Sequence, residues 1–248
     1  MIERDDLRAA VSAGIVTEKQ AASLASLADS RRGAREHLAL GDEPFELFKG
    51  FNEIFIVVGL AILAGGFAAV GALYVAAGFG GWIERVASVA IVGALLTWAL
   101  SEYFIRHRRM VAPAIALALL WAGNASVGLT AWFAQPFMVA QEDFSSLPLP
   151  LALTTVALFI HWLRFRVPFA LALVAVGAFV VALVLAAGEA GTPQDISDLF
   201  LLSAGGPFAW ITLALGLIVF ALAMAFDMSD PHRVTRRSAN GFWLHVVA

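Results

Sequence analysis

The side chains able to do chemistry are few in this chain, and they are scattered. Five histidines stand at positions 37, 107, 161, 232 and 245, with no H-E-x-x-H pair among them. There is no cysteine, which removes a thiolate nucleophile, a disulfide framework and a thiolate metal site. Neither a G-x-S-x-G nucleophile elbow nor a G-x-x-x-x-G-K-[ST] phosphate loop occurs. The sequence therefore predicts no catalytic residue, no cofactor and no metal ligand. What remains are polar groups set inside apolar runs and ion pairs at their ends. Asn124, with Ser126 and Trp121 close to it, is the deepest polar residue and the candidate intramembrane polar site. The plainer alternative is a single interhelical hydrogen bond, worth on the order of 1 kcal/mol or less. Thr154 and Thr155 can bond their own helix backbone, and His161 lies near a basic run, so these three carry less weight. Glu102 and Arg106 are spaced i, i+4 in the favourable order for a helix pair. No carboxylate falls in the middle of an apolar run, which argues against a proton pump or proton-coupled transporter.

The elements that must position these residues are set by composition. Of 248 residues, 60% are hydrophobic and 14% charged, whereas a soluble domain carries about 25% charged residues. Six runs are long enough or nearly long enough to cross a bilayer, at about 54–77, 83–105, 111–133, 149–163, 167–187 and 207–226. The expected fold class is all-α, a polytopic transmembrane helical bundle of six spans (54–226). Residues 227–248 form a basic loop followed by the apolar octet Gly241–Ala248, too short to cross. That octet reads as the opening of a seventh, truncated span or as an interfacial helix, and truncation is the favoured expectation.

Ahead of the first span the chain is charge-dense. Residues 1–43 predict a helical hairpin. Asp5 or Asp6 opens the first helix, and Gly14 stops it. Thr17 and Gln20 form a T-x-x-Q capping box for the second. Up to Glu46 there are nine acidic residues against six Lys and Arg, a balance that argues against the sharper reading of a helix-turn-helix nucleic-acid reader. Such a hairpin is too small for a core of its own and implies docking on a protein partner, on another copy or on the bundle. In the lead-in, 44–53, Phe45, Phe48 and Phe51 continue to Phe55 along one helical face, with Glu53 at the mouth of the first span. Phe45, Phe48, Phe51 and Glu53 are the candidate interaction face.

Charge placement predicts orientation. Every Lys and Arg except Arg85 lies before the first span or after the second, fourth and sixth. The positive-inside rule then places the N-terminus on the cytoplasmic side of the membrane. Arg106, Arg108, Arg109, Arg164, Arg166, Arg233, Arg236 and Arg237 become candidate contacts for anionic lipid headgroups. The bilayer is the first expected partner. Self-association through small-residue faces is the second, along the i, i+4 ridges Ala64, Ala68, Ala72, Ala76 and Ala114, Ala118, Ala122, Ser126.

The run LRAAVSAGIVTEKQAASLASLA, followed by an aromatic lead-in and an alanine- and glycine-rich bundle, resembles bacterial multi-spanning membrane proteins of domain-of-unknown-function family 2157, and the segments EPFELFKGFNEIFIVVGLAILAGG and DPHRVTRRSANGFWLH are similar to related uncharacterised proteobacterial membrane proteins. The resemblance implies a helical membrane bundle, with further spans in many members, and it supplies no activity or functional residue. The expectation is a non-enzymatic scaffold, regulatory or partner-binding membrane protein, with a small-solute or lipid transporter or channel subunit as the alternative.

Overall fold

A computed structural model describes residues 4–36, 51–78, 81–141, 143–230 and 235–248. Among these the chain is all-helical, with eleven α-helices and no strand, and six helices are long and apolar enough to cross a membrane. The chain is a multi-spanning membrane protein. The six are α3 (Asn52–Ala77), α4 (Trp82–Ser101, prolonged by a π-helical turn to His107), α5 (Ala112–Phe133), α7 (Pro148–Phe165), α8 (Pro168–Ala190) and α10 (Phe208–Ser229). Their outward faces carry large apolar side chains such as Ile62, Val70, Leu95 and Leu217, the pattern of a surface solvated by lipid. Two short helices, α6 (Pro136–Val139) and α9 (Ile196–Phe200), lie in the connections at the end away from the basic junctions.

Prolines mark where the helices begin. Pro148 and Pro168 open α7 and α8, and Pro113 sits in the first turn of α5, where a missing N–H leaves no hydrogen bond unmade. Two junctions close in the same unusual way. Arg109, between α4 and α5, and Arg166, between α7 and α8, both adopt left-handed backbone with φ of 52°. Each stands shortly ahead of a valine and a helix-opening proline. The left-handed turn costs an ordinary L-residue about 1–2 kcal/mol. At Arg166 it is offset by an N–H bond to the Trp162 carbonyl at 2.7 Å and by the guanidinium bonding the Leu163 carbonyl at 3.3 Å.

Small residues let the helices approach. On α4, Ala87, Ala90, Gly93, Thr97 and Ser101 form a buried stripe. Its Ala90 lies against Gly128 and its Gly93 against Asn124 of α5, while Ala114 and Ala118 of α5 are buried with Ile105, Phe165, Val167 and Ala170. The hydroxyls of Thr97 and Ser101 return to carbonyls of their own helix (Gly93 and Thr97, both at 2.8 Å), so the stripe stays effectively apolar. The second predicted ridge, Ala114 to Ser126, thus packs against a neighbouring helix. The first has another fate. Ala68, Ala72 and Ala76 are exposed, and Ala64, Ala68 and Ala72 line an open groove.

Ahead of the spans, α1 (Arg4–Ser12) and α2 (Glu18–Glu36) form a helical hairpin. Gly14, with φ of 70°, ends the first helix. The capping box forms as a reciprocal pair: Thr17 N–H donates to Gln20 Oε1 at 2.9 Å and Gln20 N–H to Thr17 Oγ1 at 3.3 Å. The first helix starts at Arg4, ahead of both Asp5 and Asp6, so neither precedes it as a cap. After α10 the chain turns back as α11 (Arg236–Val247), which packs along α10 and α8. Gly241 lets it approach closely, because a Cβ there would run into Asp227.

Candidate functional site

The ionisable groups gather at one end of the bundle, where α3 begins and where the α4–α5, α7–α8 and α10–α11 junctions meet. Three contacts tie these junctions together. Glu53, in the first turn of α3 and only 5% exposed, accepts the N–H of Ala112 at 2.9 Å and of Val111 at 3.3 Å. Those donors belong to the first turn of α5, where N–H groups have no intrahelical partner and the helix dipole favours an anion. Glu102 in the π-helical turn receives Arg106 at 3.1 Å and Arg164, at the end of α7, at 2.8 Å. The guanidinium of Arg236 reaches the carbonyl of Arg166 at 3.5 Å. A fourth contact organises the last junction: buried Asp230 accepts both the N–H and the hydroxyl of Thr235 at 2.8 Å.

Arginines surround this frame. Arg106, Arg108, Arg109, Arg164, Arg166 and Arg237 are exposed and Arg236 is half-buried. The guanidinium of Arg166 sits 5.8 Å above the Trp162 ring, and that of Arg164 sits 5.9 Å above Phe165. Arg233 lies outside the described residues, as do Phe45 and Phe48. Phe51 is 74% exposed and meets Phe55 edge to face at 5.3 Å. Glu53 is turned inward as a helix clamp. Of the candidate interaction face, the structure therefore describes one exposed ring and one buried carboxylate.

Asn124, Ser126 and Trp121 do not converge on one site. Asn124 donates from Nδ2 to the Leu120 carbonyl at 2.8 Å, and its Oδ1 lies over Gly93 of α4, where a Cβ would collide with it. Trp121 turns instead to α7, stacking on His161 with ring centroids 5.0 Å apart. Ser126 is half-buried farther along α5.

His161 is the residue that sequence reasoning underweighted. It is fully buried, edge-on to Trp98 at 5.9 Å and 4.6 Å from the Phe165 ring. Neither ring nitrogen has a hydrogen-bond partner among the described residues. Its periodicity with Thr154, Leu158 and Phe165 on the buried face of α7 was the available signal. A second imidazole, His245 on α11, lies 3.0 Å from Asp227 Oδ2 on α10 and 5.5 Å from the Phe220 ring. Among the described residues no three His, Asp or Glu side chains gather as a metal set.

Beside this frame, α3, α4 and α5 enclose a lateral groove of about 580 Å³. Its walls are apolar apart from Asn124 and Thr97. The arrangement at the basic end can hold helix ends in register and present cations; the groove can hold a hydrocarbon. No family model matches the chain, and neither a curated protein nor a solved structure matches it.

Proposed function

We propose that this chain is a non-enzymatic protein of the bacterial inner membrane, N-terminus in the cytoplasm, that binds a protein partner through its N-terminal hairpin. The observation that carries this reading is the uncovered apolar surface of that hairpin. Leu24 and Leu27 stand exposed on α2 and Ile15 on the turn. Leu7, Val11, Ala21 and Ala25 border a groove of about 500 Å³ between α1 and α2. A two-helix unit of this size cannot stabilise itself by internal burial, so a partner supplies the missing surface. The ionisable groups at the basic end support a scaffold role, since Glu53, Glu102 and Asp230 all serve as links between helices or junctions. Orientation follows from the gathering of arginines at a single end, the side that faces the cytoplasm by the positive-inside rule. Membership of family 2157 belongs to the same proposal and adds no activity to it.

A photo-crosslinking residue at Leu24 or Leu27, activated in intact membranes, tests the reading. A discrete adduct with a second polypeptide is expected, lost when Val11 is changed to Asp. Crosslinks confined to the chain's own bundle would replace partner binding with internal docking. Reporter fusions after Ser145 and after Arg166 test orientation: an external signal at the first and a cytoplasmic signal at the second are expected, and the reverse overturns it.

One observation favours a second reading, a lipid or small-solute transporter or channel subunit: Asn124 lines the lateral groove. Flux in proteoliposomes that drops with Asn124→Leu would support it, and flux indifferent to that change would remove it.

A further inference from the structure

Four large apolar side chains stand exposed within seven residues of the connection between α8 and α10: Ile196, Phe200, Leu201 and Leu202. Ile196 (76% exposed) and Phe200 (64%) are spaced i, i+4 on α9 and share one face of it. Asp198 lies on the opposite side, where its carboxylate accepts the N–H groups of Gln194 at 2.8 Å and Asp195 at 3.3 Å. The start of the segment thus satisfies its polar groups locally, and its apolar side chains are turned out.

What lies beside them follows from how the connection is placed. Gly191, with φ of 82°, ends α8 and turns the chain. Thr192 and Pro193 then line a cavity of about 290 Å³ together with Leu183, Val184 and Ala187 of α8 and Phe208 of α10. Leu183 stands seven residues before Ala190, the last residue of α8, which is roughly 10 Å along the helix axis. The chain therefore folds back beside α8 instead of rising from its end, and α9 packs against α10. Both neighbours are membrane spans.

Tryptophans mark the level. Trp210 is exposed on the first turn of α10, and at the same end of the bundle Trp132 is exposed on the last turn of α5 and Trp82 on the first turn of α4. Exposed tryptophans at span ends sit at the headgroup level of a bilayer. Residues 191–207 contain no Lys or Arg, so burial of apolar surface, and not attraction to acidic headgroups, is the force available to them. Because α8 and α10 already hold the segment at the bilayer edge, contact with lipid costs it no translational freedom, whereas a soluble partner would lose that freedom on docking.

We propose that the α8–α10 connection is a lipid-contacting anchor, with Ile196, Phe200, Leu201 and Leu202 among the acyl chains just beneath the headgroups and Gln194 and Asp195 on the water side. The inference concerns the end of the bundle opposite the basic junctions and is independent of the hairpin reading.

The chain has no cysteine, so a single nitroxide can be attached through Phe200→Cys, Leu202→Cys or Gln194→Cys. All three replace exposed side chains, which leaves the packing of the bundle intact. The full chain is placed one copy to a phosphatidylcholine nanodisc. Power-saturation electron paramagnetic resonance then compares collisions with oxygen, which concentrates in lipid, and with a water-soluble nickel chelate. Labels at Phe200 and Leu202 are expected to meet oxygen several times more often than nickel, relative to the label at Gln194, which faces the chelate. The disc holds no second copy and no other protein, so a patch reserved for either would be open to nickel there. Nickel access at Phe200 or Leu202 equal to that at Gln194 overturns the proposal. So does shielding from both reagents, which would place these side chains against the chain's own bundle.

Discussion

The carboxylate of Glu53 and the backbone N–H of Ala112, 59 residues apart in sequence, are joined by a 2.9 Å hydrogen bond that ties the first span to the start of the third. A second bond from Val111 N–H at 3.3 Å makes the same oxygen serve two donors. Buried, charge-assisted bonds of this kind are worth about 1.5–3 kcal/mol each when lost.

Glu53→Ala is therefore expected to destabilise the bundle by about 2–4 kcal/mol, and Glu53→Gln, which retains a carbonyl acceptor, by less. Reversible unfolding in mixed micelles checks both. Equal stability of the alanine variant and the native chain would show that the clamp does not hold α3.

Replacing His161 separates packing from polarity. The imidazole is enclosed by Trp98, Trp121 and Phe165, with no partner for either nitrogen among the described residues. His161→Phe keeps the ring contacts and removes two unsatisfied polar atoms, so it should leave stability unchanged or raise it by about 1–2 kcal/mol. His161→Ala opens a cavity and should lower it by about 2–4 kcal/mol. A phenylalanine variant as unstable as the alanine variant would mean that the imidazole nitrogens are satisfied in the membrane.

Gly93 and Asn124 are coupled through space. A methyl at Gly93 meets Asn124 Oδ1, so Gly93→Ala forces apart α4 and α5 at a cost of about 1–3 kcal/mol. Asn124→Ala should relieve it, and the double variant should be more stable than the two single effects added together. Strict additivity in a double-mutant cycle would remove the contact.

The pairing of Glu102 with Arg106 and Arg164 is more exposed, at 33% for the carboxylate side chain. Screening limits its worth to under about 1 kcal/mol. Glu102→Gln should have that small effect at low salt and less in high salt. A salt-independent loss would place the pair in a dry environment instead.

The expected all-helical fold of six spans was legible because a helix in lipid satisfies its backbone internally and must be apolar along its whole length, so local composition suffices to identify it. The helix starts were legible too, from prolines. The candidate site was legible only in part. The arginine runs flagged the basic end, but the three residues grouped around Asn124 separated, because residues three apart on one helix turned to different neighbours. Glu53 is legible as a charge at a span mouth, and nothing local says that it accepts from the N–H groups of a helix two spans later.

The two alanine ridges show where the boundary lies. Ala64–Ala76 and Ala114–Ser126 have the same i, i+4 pattern of small residues, and composition alone predicted one role for both. The second is buried at Ala114 and Ala118, which pack with Ile105, Phe165 and Val167, and half-buried at Ala122 and Ser126; the first faces a gap. Sequence by itself determined membrane residence, the number of spans and the side on which the positive charges gather, since each is a property of one segment and its solvent. Tertiary structure alone decided which ridge is packed and which is open, which carboxylate caps a distant helix, and which imidazole is enclosed in aromatic rings. Those outcomes depend on what a second segment places opposite the first, and side-chain periodicity names a face without naming its partner.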